Sequence, residues 1–240
     1  MLSGMKLSPG RLSGLLALGV LSLVTLAALA AWGFAARRPR RPNVILVSID
    51  TLRADHLGSY GYRLPTTPCL DRFRADAVLF AEAVAQASST LPSHASIFTS
   101  MIPQHHGASH TWNLPLADAA VTLTEVLQAE GYRTLAVVGG GQLQPVYGLG
   151  QGFDVYDDLG EESPFGAVVR RGLDRLAGGG QEPFFLFLHS YEVHHPYTPA
   201  PGRLAALDSG YSGSLPKDIS IALLTDINEG RLKIDAADLR

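Results

Sequence analysis

Thr90-Leu91-Pro92-Ser93-His94 sets a hydroxyl two residues before a proline, in the small polar stretch 88–96. Proline in a first helical turn favours helix initiation, and the unpaired N–H groups there point towards any anion held in front of them. About forty residues upstream, Asn43-Val44-Ile45-Leu46-Val47-Ser48-Ile49-Asp50-Thr51 is an apolar run that delivers a carboxylate at its end. An alcohol at a helix N-terminus facing a strand-end Asp points to metal-assisted attack on an anionic ester. His94 follows Thr90 by four residues and shares its face of a helix. Each residue also has a plainer use: Asp50 in an Asx turn or cap, Thr90 as cap of a helix over Ser93–Thr99, His94 and His194 as surface or capping histidines.

The elements that must hold these groups alternate. Val44–Ile49, Thr134–Val138 and Phe184–Leu188 are apolar runs of strand length, as expected of parallel strands covered on both faces. Between them lie helix signals: Thr67-Pro68 at one start, a capping box in Thr122-Leu123-Thr124-Glu125 with a stop at Gly131, and a segment from Ser163 to Ala177 stopped by Gly178-Gly179-Gly180. This alternation predicts an α/β domain with a mostly parallel central sheet flanked by helices, and in such sheets ligands collect at the carboxyl ends of strands. Asp50 and the loop carrying His194 both fall there. Gly139-Gly140-Gly141 lacks the Lys and Ser/Thr of a phosphate loop and reads as a turn after a strand.

Several segments together resemble the sulfatase family of the alkaline-phosphatase superfamily. They are Ser48–Tyr62, Thr67-Pro68-Cys69-Leu70-Asp71, Thr90–Thr99 with Pro103-Gln104-His105-His106-Gly107, Glu130–Thr134, Gln151-Gly152-Phe153-Asp154, and Glu192-Val193-His194-His195-Pro196-Tyr197. The resemblance implies a metal-dependent hydrolase of sulfate or phosphate esters, with Asp50 and Thr90 on a divalent cation (Ca2+ first, then Mg2+, Mn2+ or Zn2+), Thr90 as nucleophile, and His194 binding substrate or protonating the leaving group. Thr90 stands where the family signature has a Cys or Ser that becomes formylglycine, so that oxidation is not expected. Threonine there is similar to the phosphoryl-transferring relatives, which makes phosphoryl or phospho-alcohol transfer the alternative activity. His94 takes the place of the signature Arg and would support the nucleophile. Thr51 replaces a second acidic residue, and no Lys occurs near Gly139–Gly141. No Asp-His-Gly or Asp-Asn pair of later metal ligands follows Pro199. The similarity is therefore to the N-terminal part of the catalytic domain, and a non-catalytic fragment or pseudoenzyme is the rival reading.

With 240 residues and 46% hydrophobic content the chain can bury a sizeable core. Part of that content lies in Leu12–Ala36, an uncharged stretch long enough to cross a bilayer as a helix, which normally takes about 20 apolar residues. It reads as a membrane anchor or a signal peptide with a small-residue site at Ala28-Leu29-Ala30. The organisation is thus a basic segment 1–11, an anchor or signal 12–36, a basic linker 37–42 and a sulfatase-like domain 43–240. Arg37, Arg38, Arg40 and Arg41 would hold the following domain inside by the positive-inside rule, whereas the family resemblance implies an exported, membrane-anchored domain. Residues 1–41 hold six basic and no acidic side chains, leaving thirteen of the 19 basic residues against all 22 acidic ones, a formal net of −9. Such an acidic domain argues against nucleic acid as a partner; the anionic sulfate or phosphate ester substrate is what the resemblance implies. The single cysteine, Cys69, excludes an internal disulfide framework.

Overall fold

Apolar strands that present side chains to both faces need a layer on each side, and the fold supplies two layers unequally. The computed structural model describes residues 19–27, 29, 41–197, 202, 212–216, 219–235 and 238. Two compact units are separated at Pro42 and Asn43. In the first, residues 19–27 and 29 are helical and exposed. The rest of the 12–36 anchor or signal lies outside the described residues, as do 1–11 and 37–40 of the basic segments. No described helix is long and apolar enough to cross a membrane.

Among its described residues the second unit contains four strands, β1 (Val44–Ile49), β2 (Arg133–Val138), β3 (Val155–Asp158) and β4 (Phe184–Ser190), in spatial order β1-β4-β2-β3 with every pairing parallel. The helices are α1 (Pro68–Phe73), α2 (Thr90–Thr99), α3 (Pro103–His106), α4 (Leu123–Ala129), α5 (Phe165–Ala177) and α6 (Ile221–Asn228). α4 starts at the expected capping box, with the Thr122 side chain accepting from Glu125 N–H and the Glu125 carboxylate accepting from Thr122 N–H. α5 ends at Gly178.

Strand periodicity divides the core in two. Ala136, Val138, Phe185 and Phe187 face α2 and pack with its Leu91, Ala95 and Phe98. Leu135, Val137, Leu186 and Leu188 face the other way, against Val168 of α5. α5 lies so close to β4 that a Cβ at Gly172 would stand 2.9 Å from the Leu188 Cδ2.

Two expectations need correction. β1 is not covered on both faces: it lies at the edge of the sheet, and Ile45 and Val47 are 56% and 47% exposed. The cause is the reach of α5, which packs on β2 and β4 and stops short of β1. The fourth strand, β3, was not expected. It carries two carboxylates in four residues and forms because Asp154 anchors its start on β2: Thr134 N–H donates to Asp154 Oδ2 (2.8 Å), and Asp154 N–H donates to Thr134 Oγ1 (2.9 Å).

Candidate active site

β1 and β4 run in register, Ser48 opposite His189 and Ile49 opposite Ser190, and Asp50 N–H still donates to Ser190 O at 3.0 Å. This brings the ends of two strands to one level, where α2 begins. Thr90 Oγ1 donates to Asp50 Oδ2 at 2.8 Å. The two residues singled out forty positions apart therefore meet directly. α2 starts at Thr90 itself rather than at Ser93, with Ser89 in the cap position and no capping hydrogen bond from its side chain. The Thr90 hydroxyl is thus committed to the carboxylate and is not a helix cap.

The helix start is held from outside. Gln142 Oε1 accepts from Ser89 Oγ (2.9 Å) and from Leu91 N–H (3.0 Å), gripping the residues on either side of Thr90. Gln142 was not a sequence candidate. It arrives through the Gly139–Gly141 turn, where Gly141 has φ of +59° and a Cβ would stand 2.8 Å from the Tyr191 hydroxyl, so only glycine suits the position. Burial pushes the Tyr191 phenol up to about 12, against the opposing pull of the Thr90 hydroxyl. Tyr191 thus keeps its proton at neutral pH.

His94 shares the Thr90 face as its spacing implies, but it turns inward and is buried. Its Nδ1–H donates to the Thr90 carbonyl (2.8 Å), which leaves Nε2 to accept from Ser48 Oγ (2.9 Å). Burial lowers its pKa to about 4, although the bond to the Thr90 carbonyl works the other way. His94 is therefore neutral at pH 7 and holds the backbone beneath the hydroxyl. An Arg-like charge is not available from it.

His194 sits in the loop after β4. Its Nδ1–H donates to the His195 carbonyl (2.8 Å), and its ring lies edge-on to Tyr191 with centroids 5.3 Å apart. Tyr191 in turn stands edge-on to His189 at 4.6 Å. The ring of Tyr191 thus separates His194 from the Asp50–Thr90 pair, and the structure shows no direct contact between them.

His189 is completely buried, and neither ring nitrogen has a hydrogen-bond partner. Its Nε2 stands 3.6 Å from Asp50 Oδ2, longer than a hydrogen bond. Burial raises the Asp50 carboxyl pKa, but the facing His189 ring and the Thr90 hydroxyl more than offset it and hold the group below its ordinary value. Next in the chain, Thr51 has φ of +58°, an unfavourable conformation for a β-branched residue, and its hydroxyl donates to Val193 O at 3.1 Å. That bond ties the Asp50 loop to the His194 loop. Beside it opens a cavity of about 510 Å3 walled by Thr51, Leu52, Arg53, His56, Val193 and Tyr197. Arg53 and His56 on its rim both hydrogen-bond Asp55, through Arg53 Nε and His56 Nδ1 at 2.9 Å each.

The donors present fit part of a divalent-cation shell. Two oxygens on one hard cation at right angles stand about 2.8–3.7 Å apart for bonds of ~2.0–2.6 Å, and Asp50 Oδ2 and Thr90 Oγ1 are 2.8 Å apart. Among the described residues no group of three or more His, Cys, Asp and Glu side chains could hold a metal ion, so the first shell formed here is partial.

A sequence profile of the family described as Sulfatase matches residues 42–218. Bovine arylsulfatase A (Bos taurus) is 38% identical over 120 residues, 47% of this chain and 23% of that protein. Among solved structures, one determined in complex with its substrate D-glucosamine-2-N,6-O-disulfate superposes with a TM-score of 0.62 at 20% identity, over 72% of this chain and 39% of that one. A phosphonate monoester hydrolase of Agrobacterium radiobacter superposes with a TM-score of 0.55 at 21% identity, over 67% and 43%. The chain thus spans under half the length of each of these proteins.

Proposed function

Because the chain belongs to the sulfatase family, its profile running through residues 42–218, we propose that it carries the nucleophile side of a site that hydrolyses anionic esters, sulfate esters first, with Thr90 as attacking group. The observation that carries this reading is the 2.8 Å hydrogen bond from the Thr90 hydroxyl to Asp50 at the N-terminus of α2. A nucleophile needs a partner to orient its proton and a positive environment for its oxygen; Asp50 provides the first, and the helix start contributes the second.

Asp50 cannot deprotonate the hydroxyl alone. An oxygen acid such as water ionises near pKa ~16, and transfer to a carboxylate below ~4 is uphill by about 12 units, roughly 16 kcal/mol. Asp50 and Thr90 would hold a divalent cation, which would supply the missing electrophilic help by lowering that pKa and neutralising the ester oxyanion. The chain's own residues do the rest. Gln142 and His94 fix the backbone on both sides of Thr90, which limits the nucleophile to a narrow range of attack directions. Tyr191, protonated and close to Thr90, can donate to an ester oxygen. The cavity beside Thr51 offers a largely apolar seat for the alcohol part of the ester, and His194, across Tyr191, is the group assigned to assist its departure.

Phosphate esters are the second reading, favoured by the threonine: its secondary hydroxyl needs no oxidation to act, and it would form a phosphoryl-threonine in place of a formylglycine adduct. Thr90→Ala and Thr90→Ser variants assayed side by side on aryl sulfate and aryl phosphate test both. Loss of all turnover in the first and partial retention in the second supports the nucleophile; unchanged turnover in Thr90→Ala with normal melting shows that the hydroxyl is structural. The uncharged run Leu12–Ala36 supports holding this unit at a membrane, the family resemblance favours the exported side, and protease accessibility of 43–240 in intact cells reads the side directly.

A further inference from the structure

Gln142 uses only one end of its side chain to grip α2. Its Oε1 accepts from Leu91 N–H at 3.0 Å and from Ser89 Oγ at 2.9 Å. A backbone N–H can only donate, so the atom facing Leu91 is the oxygen, and this settles which way the amide points. The NH2 group follows, ~2.2 Å from Oε1 by the bond lengths of an amide. Nε2 therefore lies at most about 5.2 Å from the Leu91 nitrogen, beside the nucleophile. Among the described residues neither of its N–H groups has a hydrogen-bond partner, and Nε2 is not one of the buried atoms left unpaired, so it is open to solvent. The helix start needs such a donor. The free N–H groups of a first turn are what a helix offers an anion. Here Leu91 N–H is spent on Gln142, Pro92 has no N–H, and Ser93 N–H donates to Ser89 O at 3.1 Å. Of the first four residues of α2 that leaves Thr90 N–H. Gln142 takes one donor from the anion side and returns two.

Resting on the proposed ester hydrolysis, we infer that Gln142 is a substrate-contacting residue: its NH2 group donates to a non-bridging oxygen of the ester while its carbonyl oxygen holds the start of α2. One planar group then spaces the anion from the nucleophile, because the same amide touches both sides of Thr90 and the ester. A donor set in place before the substrate arrives needs no reorganisation when charge builds on that oxygen. The turn that carries Gln142 supports the placement. Gly141, just before it, has φ of +59°, and a Cβ there would stand 2.8 Å from the Tyr191 hydroxyl. The second neutral donor of the site therefore lies against the same turn, and the two can reach one anion from neighbouring directions. The role is the same whichever divalent cation Asp50 and Thr90 hold.

Gln142→Glu separates the two ends. Its carboxylate keeps an oxygen for Leu91 N–H and Ser89 Oγ, but it has no donor and repels an anion. Gln142→Leu loses both ends. The test is titration of the 15N-labelled full chain, in Ca2+, with sodium sulfate against sodium chloride of equal ionic strength. It is read at the side-chain amide pair that Gln142→Glu removes from the 1H–15N spectrum. Sulfate should shift one proton of that pair downfield and saturably, and chloride should not. Gln142→Glu should melt close to the parent and bind sulfate at least tenfold more weakly, whereas Gln142→Leu should melt lower as well. On an aryl sulfate, kcat/KM of Gln142→Glu should fall about 100-fold. The parent spectrum decides the matter even if both variants fail to fold. No sulfate-dependent shift of the Gln142 pair, or sulfate binding unchanged in Gln142→Glu, overturns the inference and leaves Gln142 as a clamp on α2 alone. A specific shift without any ester hydrolysis keeps the inference and defeats the proposed function. Hydrolysis that Thr90→Ala abolishes and Gln142→Glu spares does the reverse.

Discussion

The two faces of the sheet are built from neighbouring residues of the same strands, yet they differ in kind. Towards α5 lie Leu135, Val137, Val168, Leu186 and Leu188, an apolar cluster without a titratable atom. Towards α2 the apolar layer of Phe98, Phe185 and Phe187 gives way, near the strand ends, to Ser48, His94 and His189, all on the same alternation. A one-residue step along β4, from Leu188 to His189, separates a cluster that only stabilises from one that stabilises and positions chemistry. Buried imidazoles carry a desolvation penalty that leucine does not, and the α2 face carries it where Asp50 and Thr90 meet.

Measurements of stability can sharpen that contrast. Phe187→Ala should be the most damaging, roughly 3–5 kcal/mol, because the ring fills the space between Phe98 and His94. Leu186→Ala should fall at or below this value, at about 2–5 kcal/mol. Denaturant melts of the two variants, with cation binding followed in parallel, should show the site lost in the first and kept in the second.

The next effect depends on pH. The folded-state pKa of His94 is lowered to about 4 from an ordinary 6.5, so between those values the unfolded chain binds the extra proton. Stability from this residue is then fully present above pH ~6.5 and is lost as pH falls towards ~4, by roughly 3 kcal/mol in all. Melts from pH 7 to 4 should show this slope, and His94→Gln should flatten it. A slope unchanged in the variant would place the acid sensitivity elsewhere.

Ser48→Ala removes the donor to His94 Nε2 and leaves a buried acceptor without a partner. A loss of about 1–3 kcal/mol is expected, visible as a lower denaturation midpoint with unchanged slope. Smallest of all should be Ile45→Thr. Ile45 is on the α5 side of β1 but beyond the reach of α5 and is 56% exposed, so a change within about 0.5 kcal/mol is expected. A larger loss would mean that the outer face of β1 is covered in solution.

Much of this architecture is readable from residue order. Val44–Ile49 and Phe184–Leu188 declare themselves as strands because the first is an apolar run broken only by Ser48 and the second an unbroken one, and the Thr122 capping box and the Gly178 stop depend on neighbours within four residues. β3 is not readable, since Val155-Tyr156-Asp157-Asp158 has neither an apolar run nor alternation. It becomes a strand only because Asp154 and Thr134, twenty residues apart, bond each other. In the same way, the exposure of β1 follows from where α5 ends, which β1 itself does not record.

The site divides along the same line. Residue types and spacing single out Asp50, Thr90 and His94, because a carboxylate at a strand end and a hydroxyl at a helix start are local features with local causes, and the family resemblance adds His194. Tertiary structure decides their relations: the 2.8 Å contact of Asp50 with Thr90, the inward turn of His94, the Tyr191 ring between His194 and that pair, and the grip of Gln142 on the start of α2. It also sets His189, one of eight histidines in the chain, against the Asp50 carboxylate with no other partner. The physical reason is that a donor's role depends on what it faces across the sheet, and strand register and helix docking set that over separations no local pattern spans.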